Sequence, residues 1–306
     1  MSTFRCEVVP VELKKHPNAD SLSLVQVWGY TVVVRTEEWL DHSMGVYIPP
    51  ESVHDGKRIT VKRLRGVYSH GMLVHVPPGV VAQIGEDFAE RLGVTHYEPP
   101  TPATTGGEAV EGPSIGMPRY DVESYRRYAH LIPTGTPVYV TEKIHGASAR
   151  YVWHDGTMHV GSRTEWKGGE GNPWSRALDA CPWITAWCRW NPSCVVYGEV
   201  FGAVQSLRYG KAPGEVDFRA FDVWKSARWV EYLDLCKALA SESRAPVLFE
   251  GPMPALDVLE SIVERDSVLC PGQVMEGIVI CTQKEQWHPE IGRVQLKLVS
   301  NRYLES

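Results

Sequence analysis

The second half of the sequence carries a lysine, two glutamates and a second lysine at or near the ends of short apolar runs. They belong to a set of five ordered stretches. These are EKIHG (142–146), GSR (161–163), YGEVFG (197–202), FRAFDV (218–223) and EGIVI (276–280), and QLKLVS (295–300) follows the fifth. A lysine amine is nucleophilic only when neutral, and its ordinary pKa of about 10.4 makes that form rare at pH 7. A partly desolvated site with cations nearby lowers the pKa of such an amine. Each stretch alone is a weak signal of function. Together these residue types suit a nucleophilic lysine beside carboxylates that bind hard cations.

Together the five stretches resemble the signature of the covalent nucleotidyltransferases, the superfamily of nucleic-acid ligases and capping enzymes. The order and the modest gaps match over residues 118–306, and ordered matches are more specific than any single one. The resemblance implies that Lys143 attacks the α-phosphate of ATP and forms a covalent lysyl-AMP adduct. It also implies Mg²⁺ or Mn²⁺, with Glu199 and Glu276 as its ligands, because phosphoryl transfer depends on positioning and charge neutralisation.

The resemblance implies further contacts with the nucleotide. Phe221 stands where the family stacks an aromatic ring on adenine, a contact of roughly 1–3 kcal/mol, and Lys297 stands where it neutralises the α-phosphate. The implied nucleotide-binding residues are Glu142, His145, Gly146, Ser148, Arg163, Glu199, Phe221, Glu276 and Lys297.

Two positions depart from the family pattern. Gln295 stands where many relatives have lysine, and Ser148 where relatives often have asparagine or arginine, a loss for which Arg150 could compensate. Plainer interpretations also stay open for the fourth stretch. Phe218 fits a core residue of a strand, and Asp222 fits a residue that caps a neighbouring element.

Two features favour the RNA ligase 2-like group within this superfamily. His145 stands where DNA ligases usually have aspartate, and the sequence ends nine residues after Lys297, so we expect no C-terminal OB barrel of the kind that DNA ligases carry. The resemblance therefore implies an ATP-dependent RNA ligase that joins 3′-hydroxyl and 5′-phosphate RNA ends in RNA repair, through lysyl-AMP and RNA-adenylate intermediates. The alternatives are an RNA-binding protein of this fold that no longer catalyses, which Gln295 favours, and a nick-sealing ligase that acts on DNA.

The elements that must position these residues are of mixed type. Strands are predicted near 138–141, 194–197, 218–224, 277–281 and 294–299, and helices over 174–190 (interrupted at Pro182), 227–241 and 254–263. This mixture predicts an α+β fold. The resemblance implies a nucleotidyltransferase (ATP-grasp-like ligase) domain of antiparallel sheets flanked by helices over residues 118–306.

Residues 1–97 differ, because short β-rich runs alternate with turn signals such as Pro49-Pro50 and Asp55-Gly56. This pattern predicts a small barrel or sandwich. HPNADSL (16–22) and RGVYSHGML (65–73) look like tRNA-binding OB modules, which implies an RNA-binding barrel. Its candidate phosphate contacts are Lys57, Arg58, Lys62, Arg63 and Arg65, for which a solvated hairpin face is the plainer alternative. The Pro-, Gly- and Thr-rich residues 98–117 are predicted to be a linker.

Composition limits the remaining classes. A length of 306 residues predicts about two domains. The net charge of −6 argues against a bulk nucleic-acid coat protein. Seven scattered cysteines without a CxxC pair argue against a disulfide framework or a zinc ribbon. Without an apparent secretory signal or a long apolar run, we expect a cytoplasmic monomer.

Overall fold

The computed structural model describes residues 4–97 and 106–305 and has an α+β fold. The chain divides into two compact units. Among the described residues, the first contains 4–97, 124–129 and 301–305, and the second contains 106–123 and 130–300. Short segments that follow the predicted linker and the last strand therefore belong to the first unit. No helix of the described residues is both long and apolar enough to cross a membrane.

The strands, in chain order, are β1 Glu7–Pro10, β2 Lys14–Lys15, β3 Leu22–Val27, β4 Tyr30–Arg35, β5 Met44–Ile48, β6 Ser52–His54, β7 Lys57–Ile59, β8 Val61–Leu64, β9 Val67–His70, β10 Met72–Val74, β11 Thr95–His96, β12 Glu108–Val110, β13 Glu123–Ser124, β14 Pro137–Lys143, β15 Ala147–His154, β16 Thr157–Gly161, β17 Trp166–Gly168, β18 Val195–Gly202, β19 Val216–Lys225, β20 Arg228–Trp229, β21 Val247–Pro252, β22 Gly277–Thr282, β23 Trp287–His288, β24 Gly292–Arg293 and β25 Gln295–Val299. The helices are α1 Thr36–Trp39, α2 Tyr125–Tyr128, α3 Pro173–Ala180, α4 Trp183–Trp190, α5 Tyr232–Ala238, α6 Leu256–Val263 and α7 Asn301–Glu305.

The first unit is rich in short strands, as the sequence predicts. They form antiparallel sheets in the orders β1-β5-β10, β2-β3-β4, β11-β6-β7 and β8-β9. Within the described residues these hydrogen-bonded ladders are separate sheets and not one closed barrel. Alternation along β3 buries Val25 and Val27 against Tyr47 and Trp39, which is the pattern of a strand with one face in a core.

The second unit contains two large antiparallel sheets. One has the order β12-β17-β16-β15-β18-β19-β20, and the main strands of the other lie in the order β25-β22-β14-β21. Helices α3 and α4 cover one face of the first sheet, where Ile184 and Cys188 pack with Tyr151 and Phe218. Phe218 is therefore a core residue, in agreement with the plainer interpretation of its position.

The predicted helix over 174–190 is present as α3 and α4, which are separated near Pro182. The predicted helix over 227–241 is shorter, because Arg228 and Trp229 form strand β20, so that α5 begins at Tyr232. Within the predicted linker, residues 98–105 lie outside the described part. In the described remainder of the predicted linker, residues 106–117, strand β12 pairs with β17.

Candidate active site

The register between two strands brings Lys143 and Glu276 together. Lys143 is the last residue of β14 and lies opposite Gly277, the first residue of β22. Glu276 directly precedes β22, and its Oε1 lies 2.5 Å from the Lys143 Nζ. The two side chains are largely shielded from solvent, with exposed fractions of 26% and 11%. The Lys143 ammonium therefore contacts the Glu276 carboxylate at the point where β14 ends and β22 begins.

His145 belongs to the same cluster. Its Nδ1 lies 3.7 Å from the Glu276 Oε2, and its Nε2 is 3.2 Å from the Ser206 Oγ. The backbone N–H of His145 donates to the Tyr209 hydroxyl oxygen at 2.7 Å. These contacts hold the turn that follows Lys143. Ser206 and Tyr209 were not predicted as site residues, because they lie in an irregular segment without a motif.

Gly146 allows this turn to approach strand β18 closely. A Cβ atom added to Gly146 would lie 2.1 Å from the Val200 carbonyl oxygen, a separation that no side chain tolerates. The Gly146 N–H donates to the carboxylate of Glu199, the residue that precedes Val200 in β18. Close backbone packing thus places Glu199 beside the turn that carries Lys143.

The two glutamates have opposite electrostatic environments. Burial raises the pKa of Glu199 to about 8, and the negative charge of Glu276 adds to the effect, although the Lys143 ammonium opposes it. Burial acts in the same direction on Glu276, but Lys143 and His145 outweigh it and lower the pKa of that carboxyl to about 2. At neutral pH the cluster therefore holds one carboxylate paired with lysine and one neutral carboxylic acid.

The residues of this cluster fit a divalent cation whose coordination is completed from outside the protein. The Glu276 Oε2 is buried and has no hydrogen-bond partner in the described part of the chain, and a carboxylate oxygen is a preferred ligand of Mg²⁺ and Mn²⁺. Over residues 4–97 and 106–305, no group of three or more His, Cys, Asp or Glu side chains could hold a metal ion. Glu199 and Glu276 could therefore supply two ligands, with phosphate and water oxygens supplying the others.

Lys297 lies on the same sheet face as Lys143. Val279 of β22 is opposite Thr141 on one side and Lys297 on the other. Directly opposed residues in antiparallel strands point to the same face, and so do residues two apart in one strand. Thr141, Lys143 and Lys297 consequently share one face, and this is the arrangement expected if both lysines act on one phosphate group.

Phe221 is the extra residue of a β-bulge in β19. Tyr197 pairs with Asp222 and Gly198 pairs with Ala220, so Phe221 is left without an opposite residue. Bulges change the direction of a side chain. The Phe221 ring is partly exposed and packs against Tyr120, with 4.4 Å between the ring centroids.

Asp222 forms an ion pair with Arg293 and accepts a hydrogen bond from the Tyr120 hydroxyl at 3.2 Å. The Arg293 guanidinium also binds Glu285 through Nε and Nη2 and lies 4.5 Å from the centroid of the Trp229 ring. These contacts join Asp222 to Arg293 and Tyr120, and the interpretation of Asp222 as a capping residue stays a prediction. Arg293 was not predicted as a site residue, because it lies outside the family stretches and belongs to no motif.

The structure does not bring every candidate residue to the cluster. The Glu142 carboxylate is buried and accepts from the Ser267 hydroxyl at 2.5 Å and the Val268 N–H at 2.9 Å. Burial raises the pKa of Glu142 despite these hydrogen bonds. Because neighbouring residues of a strand point to opposite faces, Glu142 points away from Lys143. Its contacts are those of a residue that fixes the end of β14.

Two other candidates have partners of their own. Arg163 is exposed and forms an ion pair with Asp121. Ser148 is opposite Glu199 in the β15–β18 pair, and its carbonyl oxygen accepts from the Trp174 indole N–H at 2.9 Å. Gln295, which stands where many relatives have lysine, has a buried side chain. Its Nε2–H donates to the Asp121 carbonyl oxygen at 2.8 Å.

The five basic residues singled out in the first unit are all exposed. Two of them lie on aromatic rings: the Arg58 guanidinium is 4.2 Å from the centroid of Tyr97, and that of Arg63 is 5.5 Å from the centroid of Tyr68. Exposed cations interleaved with aromatic rings suit a nucleic-acid strand, which offers phosphates and base faces.

The fold of this chain is similar to that of known proteins. Among the solved structures that are similar in fold, one of the Naegleria gruberi RNA ligase, a lysine-to-alanine variant with ATP and Mn, has a TM-score of 0.81 at 22% sequence identity, covering 99% of this chain and 98% of that chain. A structure of the same ligase with PPi has a TM-score of 0.79 at 22% identity, covering 100% and 98%. No curated protein matches significantly. The RNA ligase family model matches residues 136–299, more than half of the chain, and the protein therefore belongs to the RNA ligase family.

Proposed function

We propose that the protein is an ATP-dependent RNA ligase that joins 3′-hydroxyl and 5′-phosphate RNA ends. The observation that carries the proposal is the cluster of Lys143, Glu276, Glu199 and His145, in which a buried carboxylate oxygen lacks a partner within the described residues. A nucleophilic lysine next to acidic metal ligands matches the needs of nucleotidyl transfer. The structures of the Naegleria ligase with ATP, AMP, Mn and PPi support the same chemistry.

In the first step the Lys143 amine attacks the α-phosphorus of ATP. A phosphorus–nitrogen bond forms, the bond to the leaving pyrophosphate breaks, and the proton of the amine passes to solvent water. The Lys143–Glu276 ion pair represents the resting form, since a protonated amine has no lone pair for the attack. Lys297, on the same sheet face, is placed to neutralise charge on the α-phosphate.

In the second step an oxygen of the RNA 5′-phosphate attacks the same phosphorus and Lys143 leaves, which gives RNA-adenylate. In the third step the 3′-hydroxyl attacks the 5′-phosphate phosphorus, a phosphodiester bond forms and AMP leaves. A divalent cation held by Glu199 and Glu276 would supply charge neutralisation at the phosphates. Glu276 also fixes the position of the Lys143 amine, and Gly146 with His145 fixes the turn behind it.

We further propose that separate parts of the chain have separate roles. Residues 118–306 would form the adenylyltransferase domain, residues 98–117 the connection, and residues 1–97 an RNA-binding domain with OB-like sheets. The exposed cations on β7 and β8 would contact RNA phosphates.

An RNA joining assay tests the proposed function. We expect the protein, ATP and Mg²⁺ or Mn²⁺ to join an RNA strand that carries a 5′-phosphate and to leave the matched 5′-hydroxyl strand unjoined. RNA binding without AMP transfer would instead identify a non-catalytic RNA-binding protein, the alternative that Gln295 favours. Equal sealing of nicks with DNA and RNA 3′-hydroxyl strands would contradict specificity for RNA.

A further inference from the structure

Arg150 is a buried cation that lacks an acidic partner. Only 8% of the residue is exposed, and its Nε–H is buried without a hydrogen-bond partner in the described chain. Among residues 4–97 and 106–305, no carboxylate forms an ion pair with this guanidinium. An arginine side chain is always charged and carries only donors, and burial of an unpaired charge costs folding free energy. The guanidinium therefore points to an anion that the described part of the protein does not supply.

The surroundings of Arg150 hold its side chain but do not neutralise it. The guanidinium carbon lies 4.4 Å from the centroid of the Trp166 ring. Gly161 leaves room for this placement, because a Cβ atom there would lie 2.8 Å from the Arg150 Nε and 2.9 Å from the Trp166 ring. Burial lowers the pKa of Arg150; the Tyr197 hydroxyl opposes this effect, and the positive charge of Arg119 adds to it. The charged side chain that acts on Arg150 is thus another cation.

Arg150 lies on the sheet face that carries Glu199. Ser148 is opposite Glu199 in the β15–β18 pair, and Arg150 follows Ser148 by two residues. Residues two apart in a strand share a face, whereas Tyr151 packs against helices α3 and α4 on the opposite face. An anion bound at Arg150 would therefore share the sheet face of the proposed metal ligand Glu199.

The separation from Glu199 indicates which anion fits. Arg150 is opposite Gly161 of β16, so strand β15 lies between Gly161 and Glu199 of β18. Two strand spacings of about 4.8 Å, and two residues of about 3.3 Å along a strand, place the Cα atoms of Gly161 and Glu199 roughly 12 Å apart. This separation is too long for one phosphate group and suits a second phosphate further along an RNA strand.

Trp166 supplies a second feature that suits an RNA strand. Its ring is partly exposed and lies against the Arg150 guanidinium. A cation next to an aromatic ring suits single-stranded nucleic acid, which offers a phosphate to the cation and a base to the ring. Pyrophosphate offers no base and uses only the cation.

We propose that Arg150 binds an internal phosphate of the RNA strand whose end is joined at Lys143. This inference rests on the proposed function. The bound phosphate supplies the negative charge and the acceptor oxygens that the protein withholds from this guanidinium. Arg150 thereby links the position of the strand to the site that carries Glu199.

RNA binding measured by fluorescence anisotropy, without ATP, tests this inference apart from catalysis. The probes are short single-stranded RNAs in which a methylphosphonate replaces one phosphate at a time, which removes the charge of that linkage. For the wild-type protein, neutralisation of one internal linkage near a joining end is expected to weaken binding about tenfold or more. Arg150→Met should bind the unmodified RNA more weakly by a similar factor and should no longer respond to neutralisation of that linkage.

Thermal unfolding of the RNA-free protein separates this role from a structural one. Methionine keeps an apolar stem and removes the unpaired charge, so Arg150→Met should melt no lower than the wild-type protein. The control is Arg189→Met, because the exposed Arg189 of α4 also lies on a tryptophan ring, 4.6 Å from the centroid of Trp153. This control should bind every RNA probe like the wild-type protein.

If the methionine variant does not fold, Arg150→Gln carries the same test. The inference is overturned if a folded variant responds to every linkage as the wild-type protein does, or if the wild-type protein responds only to loss of the terminal 5′-phosphate. Wild-type protein that accepts AMP from ATP but responds to no linkage contradicts this inference alone. Wild-type protein that neither binds RNA nor accepts AMP contradicts the proposed function as well.

Discussion

The Nζ of Lys143 and the Oε1 of Glu276 lie 2.5 Å apart although 133 residues separate them in the sequence. The pairing of β14 with β22 creates this contact, because Lys143 and Gly277 are opposite each other at the ends of the two strands. Glu199 reaches the same point from the other large sheet, through the close approach of Gly146 to β18. Two sheets therefore each contribute an acidic residue to the surroundings of one lysine.

Replacement of Glu276 with glutamine should lower the rate of lysine adenylylation by roughly 100-fold or more, because it removes a proposed metal ligand and the partner of Lys143. The rate is best measured in a single turnover with labelled ATP over a titration of Mg²⁺ or Mn²⁺. Glu170 is exposed, so Glu170→Gln serves as the matched control. A rate of Glu276→Gln that equals the wild-type rate at every metal concentration would exclude the assigned role.

Glu199 should make the stability of the metal-free protein depend on pH. Its pKa is raised from 4.5 to about 8 in the folded protein, so the folded state holds a proton that the unfolded state releases. The stability from this proton is complete below about pH 4.5 and is lost as the pH rises to about 8. A glutamine side chain resembles the neutral, protonated form of Glu199. Glu199→Gln should therefore melt at an increasingly higher temperature than the wild-type protein between pH 5 and pH 8, and a constant difference in Tm would contradict this.

Gly146→Ala should destabilise the protein by about 1–3 kcal/mol and slow adenylylation, because the new Cβ would meet the Val200 backbone at 2.1 Å. Thermal unfolding and single-turnover labelling measure the two effects. The control is Gly116→Ala, since nothing lies within 4 Å of a Cβ at Gly116. Equal melting temperatures for both variants would show that the close approach has no energetic weight.

The basic residues of β7, β8 and the following turn should govern RNA affinity and leave adenylylation unchanged. For each phosphate contact that is lost, the slope of log K against log salt should become shallower by about 0.7. Fluorescence anisotropy with single-stranded RNA checks this for glutamine variants of Lys57, Arg58, Lys62, Arg63 and Arg65. Lys14→Gln on β2, an exposed residue of the same unit, is the control. An unchanged salt slope in all five variants would assign these residues to a solvated surface.

The core of the site could be predicted from the sequence because its residues stand beside apolar runs, although Glu199 lies within β18 and not at its end. Lys143, Glu199 and Glu276 each follow or precede an apolar run, and short motifs identify such positions without knowledge of the pairing. The two-residue alternation within β14 also separates Lys143 from Glu142, although the family resemblance alone groups them together. Only the structure shows that Glu142 is held by Ser267 and Val268.

The remaining parts depend on contacts between distant segments. Strand β12 has three exposed residues, so no apolar period marks it within the predicted linker, and its pairing with β17 cannot be derived locally. Arg293 acquires its role from Asp222, which lies 71 residues earlier.

Covalent labelling with ATP tests directly whether Lys143 forms the lysyl-AMP adduct. The protein is incubated with α-labelled ATP and Mg²⁺ or Mn²⁺ and separated on a denaturing gel, beside Lys143→Met and the exposed control Lys225→Met. We expect an acid-labile labelled band in the wild-type protein and in Lys225→Met, and none in Lys143→Met. A labelled band in folded Lys143→Met, or no band from folded wild-type protein free of bound AMP, would contradict it.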